Sequence, residues 1–166
     1  MVVRPVVEAD RQRFVEFFGD EDFMVYADGV LSPGEAGARF DRMIARCAEI
    51  SFAKQAIVEI SSGTVVGYTG VDWIEAAGQR RLEWGWRLVP SARGHGYATE
   101  ATRALMVRAA ADYTGELLAV IHPDNKPSQN VSRKLGFQFW KTGDVYGRQR
   151  HLYRLRLPSP VDPPSG

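Results

Sequence analysis

The chain has 166 residues, which is enough for one domain around a single hydrophobic core. Its 21 Lys and Arg residues almost balance its 20 Asp and Glu residues, and the net charge of +1 excludes the strongly basic footprint of proteins that bind nucleic acid or an anionic membrane. A single cysteine, Cys47, excludes an intrachain disulfide framework, and no apolar run approaches the ~20 residues of a membrane span. We therefore expect a soluble cytoplasmic protein in which Cys47 is a small buried residue.

The first half of the chain predicts a short strand, two helices and three further strands. Residues 2–6 are mostly apolar and favour a strand. Asp10 is expected to cap a first helix, and Ser32-Pro33-Gly34-Glu35 has the capping-box pattern that starts a second helix. Apolar residues then predict three consecutive antiparallel strands, over residues 56–60, 65–74 and 81–89.

A strand–helix–strand unit follows. Apolar residues recur at helical spacing after residue 96, and Gly115 is expected to stop this helix. Residues 117–121 are a continuous apolar run, which is typical of a strand buried on both faces. A right-handed crossover would place this strand parallel to residues 82–89, so that the carboxyl ends of the two strands share one crevice.

The remaining chain predicts a helix over residues 127–135 and two final strands, from Phe137 and over residues 150–157. We therefore expect one α+β domain over residues 1–157, built on a mixed, mostly antiparallel sheet. The proline-rich residues 158–166 have almost nothing to bury and are expected to form a disordered tail.

The turn before residue 97 is the leading candidate for a ligand site. Gly94 and Gly96 let the backbone approach an anion, and the free N–H groups at the start of the next helix point at it. A Walker A loop would need a Gly-Lys-Ser/Thr ending, which the turn lacks. Gly94, Gly96 and Thr99 match the spacing of a dinucleotide-binding fingerprint, but the nearest acid, Glu116, precedes a strand instead of following it. On these residues alone, a phosphate cradle and a plain tight turn both stay open.

Two segments, in the right order, resemble the GCN5-related N-acetyltransferase (GNAT) family. Arg93-x-x-Gly96-x-Ala98 resembles the family's R/Q-x-x-G-x-G/A signature. Asn125-x-x-Ser128, followed by Leu135-Gly136-Phe137, is similar to the family's second cofactor segment. Residues 94–101 are especially similar to the branch that acetylates ribosomal-protein N-termini, and the likeness extends over residues 3–157.

The resemblance implies a sheet of six or seven strands with about four helices, whose two central parallel strands splay apart around acetyl-coenzyme A (acetyl-CoA). It also implies that backbone N–H groups of the turn bind the pyrophosphate, and that pantetheine pairs like a strand with the residues before the turn. Arg93 is expected to assist the phosphates, while His95 and Tyr97 face solvent or the adenine. The residues that the resemblance places at the cofactor are Trp86, Arg87, Leu88, Arg93, Gly94, His95, Gly96, Tyr97, Ala98, Thr99, Asn125 and Ser128.

Transfer of acetyl to an amine needs a base for the amine and donors for the thioester carbonyl. Glu83 and His122 are the candidate bases, and the resemblance implies a backbone N–H near Leu88 as the donor. Glu83 has an alternative as a partner of Arg81 or Arg150, and His122 as a loop residue with an ordinary hydrogen bond.

The leaving thiolate also needs a proton. Many relatives carry a tyrosine about seven residues after the motif asparagine, but this chain has Ser132 there. Ser132, Ser128 or a water is therefore expected to act. No metal is expected, because the three histidines and the one cysteine lack ligand spacing.

The expected acceptor is an amine of a small molecule or a peptide. Asp28, Asp72 and Glu75 are expected either to attract a cationic amine or to form ordinary solvated surface. A module that binds acyl-CoA without catalysis is the alternative function, and the protein is expected to be a monomer or a homodimer. The aromatic residues expected at the acceptor mouth are Phe23, Tyr26, Trp73, Trp84 and Trp86, with Trp140 or Tyr146.

Overall fold

A computed structural model describes residues 1–158 of the chain. Within this range the helices are α1 (Arg11–Gly19), α2 (Pro33–Glu49), α3 (Tyr97–Asp112) and α4 (Lys126–Lys134). The strands are β1 (Val2–Arg4), β2 (Gln55–Val58), β3 (Val65–Ala76), β4 (Gln79–Leu88), β5 (Gly115–Ile121), β6 (Gln138–Val145) and β7 (Arg148–Leu157). Except for Pro158, the expected tail lies outside the described residues. No helix in the described range is both long and apolar enough to cross a membrane.

The seven strands form one sheet in the order β1-β2-β3-β4-β5-β7-β6. Every neighbouring pair is antiparallel except β4 and β5, which are parallel. The expected mixed sheet and the expected parallel pair are therefore both confirmed. β4 and β5 are in register at one position only, Glu83 opposite Leu118, so their carboxyl ends are not paired with each other.

Side chains alternate between the two faces of the sheet and build two main cores. On one face, Trp84 of β4 packs with Leu105 of α3 and Leu117 of β5. On the other face, α1 and α2 pack with Tyr68 of β3 in a second cluster that contains Phe40. Glu83 and Arg87 alternate with Trp84 along β4 and therefore lie on the α1–α2 face.

Two local expectations about helix ends are wrong, and one is confirmed. Asp10 precedes α1, but its carboxylate accepts hydrogen bonds from the Arg4 guanidinium (2.7 and 2.8 Å) and the Val7 N–H (3.0 Å) instead of capping the helix. Gly115 does not stop α3, which ends at Asp112; it is the first residue of β5. The capping box of α2 is present, because Ser32 Oγ accepts from the Glu35 N–H and Glu35 accepts from the Ser32 N–H.

Cys47 is half-buried on α2, against the cluster that contains Phe40. Its Sγ donates to the Lys54 carbonyl oxygen at 3.4 Å. Burial raises the pKa of the Cys47 thiol, although a backbone hydrogen bond from Val6 partly offsets this. The thiol is therefore mostly protonated near neutral pH, which favours a packing role.

Candidate active site

A crevice of about 950 Å³ opens where β4 and β5 separate. Trp86 and Leu88 line it from the end of β4, and Val120 and His122 line it from the end of β5. The turn before α3 and the start of α4 also line it, together with the loop after α1 and residues on the α1–α2 side of the sheet. This is the shared crevice that the strand–helix–strand pattern predicts.

The backbone of β4 presents hydrogen-bonding groups to this crevice. The Val89 N–H donates to the Val66 carbonyl of β3 at 2.9 Å, and along an antiparallel strand the groups of alternate residues point to opposite neighbours. The groups of Arg87 therefore face β3, whereas those of Trp86 and Leu88 face the crevice. The Leu88 carbonyl accepts from Arg93 Nε at 3.1 Å, and the crevice side retains the Leu88 N–H and both groups of Trp86.

The turn before α3 has the geometry of an anion cradle. Gly94 and Gly96 have φ values of 81° and 79°, in the left-handed region that favours glycine. A Cβ added at either position would meet nothing within 4 Å, so the space above the turn is open. Gly96 is the N-cap of α3 and no side chain caps that end, which leaves the first N–H groups of the helix for a ligand.

The structure brings together all but one of the residues expected at the cofactor. The exception is His95, whose ring packs beside Tyr97 at 5.7 Å between centroids and does not line the crevice. Arg87 lines the crevice with its side chain only, because its backbone groups face Tyr68 of β3. Arg93 is held by two backbone carbonyls, those of Leu88 and Asp22, the latter at 2.8 Å.

Asn125 has a defined structural role at the start of α4. Its side chain accepts a hydrogen bond from the Ser128 N–H at 3.1 Å, which makes it the N-cap of the helix. Asn125 and Ser128 both line the crevice, so capping brings both polar side chains to the same edge of the site.

Glu83 lies on the wall of the crevice, in an ion pair that the sequence did not indicate. Its carboxylate is 3.5 Å from Lys54 Nζ, and both side chains are about 15% exposed. The alternative pairing with Arg81 or Arg150 is not formed, because those residues pair with Glu116 and Asp28 instead. The carboxylate lies over Gly85, where an added Cβ would be 3.3 Å from Glu83 Oε1.

His122 lies at the mouth of the crevice, just after β5. Its Nδ1 accepts a hydrogen bond from the Asp124 N–H at 3.1 Å, and its ring is 5.6 Å from that of Tyr26. Because Nδ1 is occupied as an acceptor, Nε2 carries the proton of the neutral ring. The ordinary loop hydrogen bond expected as the alternative is therefore present.

Ser132 does not reach the crevice, which corrects its expected role as the acid. Its side chain is fully buried, and its hydroxyl has no hydrogen-bond partner among residues 1–158. The turn at the end of α4 fixes it in the core, because the Ser132 carbonyl accepts the Phe137 N–H at 3.0 Å. Of the two serines considered, Ser128 lines the crevice and Ser132 does not.

The expected aromatic mouth is present in part. Trp73 and Trp140 lie elsewhere, beside the guanidinium groups of Arg80 and Arg81. Asp28 lines the crevice and pairs with Arg150, whereas Asp72 pairs with Arg46 on α2. Glu75 is also outside the lining. The residues of the expected mouth that do line the crevice are Phe23, Tyr26, Trp84, Trp86 and Tyr146.

A group of basic residues on the α1–α2 wall is the feature that the sequence reasoning missed. Arg39, Lys54 and the side chain of Arg87 line the crevice around the buried Tyr68. Burial would raise the pKa of Tyr68, but the positive charges of Arg87, Arg39 and Lys54 outweigh burial and the nearby carboxylate and lower it. The sequence could have placed Arg87 on the same strand face as Glu83, because the two residues are an even number of positions apart on β4. It could not have placed Arg39 and Lys54 beside them, because those residues come from distant segments.

Within the described range, no group of three or more His, Cys, Asp or Glu side chains is placed to hold a metal ion. The residues around the open glycine turn fit an elongated phosphate ligand: an anion cradle at one end and unpaired strand backbone at the other. The polar side chains Glu83 and His122 lie on the same crevice. This combination has room and hydrogen-bond donors for an elongated phosphate ligand, beside a carboxylate and an imidazole.

Comparison with known proteins identifies a matching family and structures of similar fold. The family model described as acetyltransferase (GNAT) domain matches residues 1–138. The chain is 24% identical over 140 residues to a Bacillus subtilis protein named as an uncharacterized N-acetyltransferase, YnaD, covering 83% of this chain and 79% of that protein.

Solved structures that share the fold include the following two. One is a GNAT superfamily phosphinothricin acetyltransferase from Sinorhizobium meliloti in complex with AcCoA (TM-score 0.70, 23% identity, 99% of this chain and 94% of that chain). The other is a ribosomal-protein-alanine N-acetyltransferase from Brucella melitensis (TM-score 0.71, 21% identity, 94% of this chain and 98% of that chain).

Proposed function

Because the chain belongs to the GNAT acetyltransferase family, we propose that it transfers acetyl from acetyl-CoA directly to a primary amine of a small molecule or a protein N-terminus. The family match favours this activity over the alternative of a module that binds acyl-CoA without catalysis. The observation that carries the proposal is the crevice between β4 and β5, which ends at an open, uncapped glycine turn.

In the proposed complex, acetyl-CoA supplies an activated acyl group and a thiol leaving group. The N–H groups of residues 94–99 bind the pyrophosphate, assisted by the dipole of α3. Trp86 pairs with the pantetheine arm through its backbone N–H and C=O groups. The Leu88 N–H donates to the thioester carbonyl and stabilises the negative charge that develops there.

Glu83 is the proposed base. It lies on the crevice wall, partly buried, and Gly85 leaves space for its carboxylate. It accepts a proton from the acceptor amine, directly or through a water, while Lys54 holds the carboxylate in place. His122 is the second candidate; its basic lone pair is on Nδ1, so it would accept the proton there after releasing the hydrogen bond from the Asp124 N–H. Ser128 or a water protonates the departing thiolate.

Thiol release from acetyl-CoA over a panel of amines and peptides tests this proposal. Glu83→Gln should lower kcat by about 10²-fold or more, the usual effect of losing a general base, and His122→Ala measures the contribution of the second candidate. Glu49→Gln is the matched control, because Glu49 pairs with Arg46 at the exposed end of α2. Gly96→Trp should abolish coenzyme A binding.

The contradicting outcomes are distinct. Thermal stabilisation by acetyl-CoA with no turnover on any amine would favour the binding module. Stabilisation by NAD but not by coenzyme A would contradict both functions. Unchanged coenzyme A affinity in Gly96→Trp would refute the assignment of the glycine turn.

The proposal includes a cytoplasmic location, since a chain with one cysteine has no intrachain disulfide of the kind found in oxidising compartments. It also includes a monomer or a homodimer as the working form. Light scattering at micromolar concentration separates these two states, and a higher oligomer would contradict both.

A further inference from the structure

The α1–α2 wall of the crevice contains two ion pairs. Lys54 pairs with Glu83 at 3.5 Å, and Arg150 pairs with Asp28 at 2.8 Å. Lys54 and Glu83 offset each other, whereas the Asp28 carboxylate is shared between Arg150 and the exposed Arg148, whose Nε is 3.0 Å away.

Arg39 and Arg87 differ from these pairs because all their close partners are neutral. Arg39 donates to the Tyr68 hydroxyl at 3.4 Å and lies over the Phe18 ring at 4.3 Å. Arg87 donates to Met24 Sδ at 2.8 Å. Among residues 1–158, no carboxylate oxygen lies within 4.0 Å of either guanidinium.

Partly buried guanidinium groups with neutral partners retain the capacity to bind an oxyanion. Arg87 lies directly opposite Tyr68 in the β3–β4 register, and Arg39 contacts the same tyrosine from α2. The two cations therefore act on the same tyrosine from two elements, β4 and α2. The lowered pKa of Tyr68 agrees with a positive potential there.

We propose that Arg39 and Arg87 bind an anionic group of the acceptor, so that the substrate is a primary amine that also carries a carboxylate or another oxyanion. This inference rests on the proposed function, because it defines the amine that the same crevice acetylates. It disfavours polyamines and aminoglycosides, whose several positive charges would meet like charges on this wall.

The arrangement of charges on the wall suits such a molecule. Glu83 and Arg87 lie on one face of β4, and Gly85 between them adds no side chain, which leaves room for the acceptor. The amine is placed at the crevice edge of β4, between the Glu83 carboxylate and the Leu88 N–H that binds the thioester carbonyl, and the anion is placed over the α1–α2 face, at Arg39 and Arg87. Phe23 lines the crevice beside Arg87, at 5.8 Å from its guanidinium, and provides an apolar contact.

Matched amines that differ in one charge test the proposal. The probes are L-alanine against L-alaninamide, L-methionine against L-methioninamide, and 2-aminoethylphosphonate against ethylamine, with spermidine as the polycation. Two measurements apply: kcat/KM from thiol release, and calorimetric binding of each amine to the protein saturated with coenzyme A. We expect the anionic member of at least one pair to be favoured by about tenfold to 100-fold in both, the usual effect of a charge-assisted hydrogen bond.

Substitutions of Arg39 and Arg87 test whether these two residues cause the preference for anionic amines. Arg87→Gln and Arg39→Gln should bring the ratio within a pair close to one, whereas Arg87→Lys should keep part of it. Arg42→Gln is the control, because Arg42 is exposed on the same helix as Arg39 and is outside the crevice lining. Melting temperatures establish folding, and if either glutamine variant unfolds, Arg87→Lys decides by its intermediate ratio.

Three results would overturn the inference while leaving acetyl transfer intact. The first is a ratio near one for every pair, and the second is best turnover with spermidine. The third is an anion preference that survives unchanged in both glutamine variants. Absence of thiol release with every amine, peptides included, would instead contradict the proposed function.

Discussion

Replacing Gly96 with alanine isolates the backbone conformation of the glycine turn. Gly96 has a φ of 79°, and a Cβ added there would meet no atom within 4 Å, so the substitution creates strain without a clash. Holding an L-residue in this region costs about 1–2 kcal/mol. For a protein of this length, that cost lowers the melting temperature by roughly 2–8 °C.

The same strain can instead lower the affinity for coenzyme A. If the turn of Gly96→Ala relaxes in the free protein, the melting temperature changes little, and binding must restore the left-handed turn. Affinity would then fall by about 5-fold to 30-fold, the equivalent of 1–2 kcal/mol. Differential scanning calorimetry and isothermal titration calorimetry on one preparation measure both effects.

Gly34→Ala is the matched control. Gly34 lies in the first turn of α2, where an added Cβ also meets nothing within 4 Å and φ is not left-handed. Alanine there should leave both measurements unchanged or raise stability slightly. If Gly96→Ala matched Gly34→Ala in both stability and affinity, the argument that the turn depends on left-handed glycine would be refuted.

Three further predictions concern Ser132, Asp10 and Cys47. Ser132→Ala should leave turnover unchanged and keep or raise the melting temperature, because the buried Ser132 hydroxyl has no partner to lose among residues 1–158; a large fall in kcat would restore its role as the acid. Asp10→Asn should lower the free energy of unfolding by about 1–3 kcal/mol at pH 7, measured in urea. Burial would raise the pKa of Asp10, but hydrogen bonds from Arg4 and Val7 and the Arg4 charge lower it. The contribution of this carboxylate is thus present above its unfolded pKa of about 3.9 and is lost as pH falls through its folded pKa, so the difference between variant and parent should shrink below about pH 4; a constant difference would contradict the pairing. Cys47, whose thiol pKa is raised by burial, should react with iodoacetamide at pH 8 more slowly than a cysteine in a short peptide, and an equal rate would show that the thiol is exposed.

Local sequence patterns were sufficient to predict the helices, strands and turn that position the site. The capping box at Ser32 and Glu35 formed as expected, because both partners lie within one turn of helix. The apolar run at residues 117–121 became the central parallel strand, since a strand buried on both faces leaves a pattern that sequence reveals directly. The glycine turn was recognisable because left-handed backbone favours one residue type.

Expectations that depended on tertiary contacts were less successful. Asp10 has the residue type and the position of a helix N-cap. Its carboxylate nevertheless binds the Arg4 guanidinium on β1 instead of the helix N–H groups. Ser132 occupies the position where many relatives carry the tyrosine that would protonate the thiolate. In this chain, however, the orientation of α4 buries Ser132 in the core. Lys54 could not be assigned to Glu83, because the two residues are far apart in the chain and meet only when β2 and β4 flank β3.

The central claim is that the crevice between β4 and β5 binds acetyl-CoA with its pyrophosphate on the glycine turn. A crystal structure of the protein with coenzyme A tests this most directly. We predict pyrophosphate oxygens within hydrogen-bond distance of N–H groups of residues 94–99, pantetheine paired with the Trp86 backbone, and the thiol near the Leu88 N–H. A pyrophosphate elsewhere, or a thiol outside this crevice, would contradict the account.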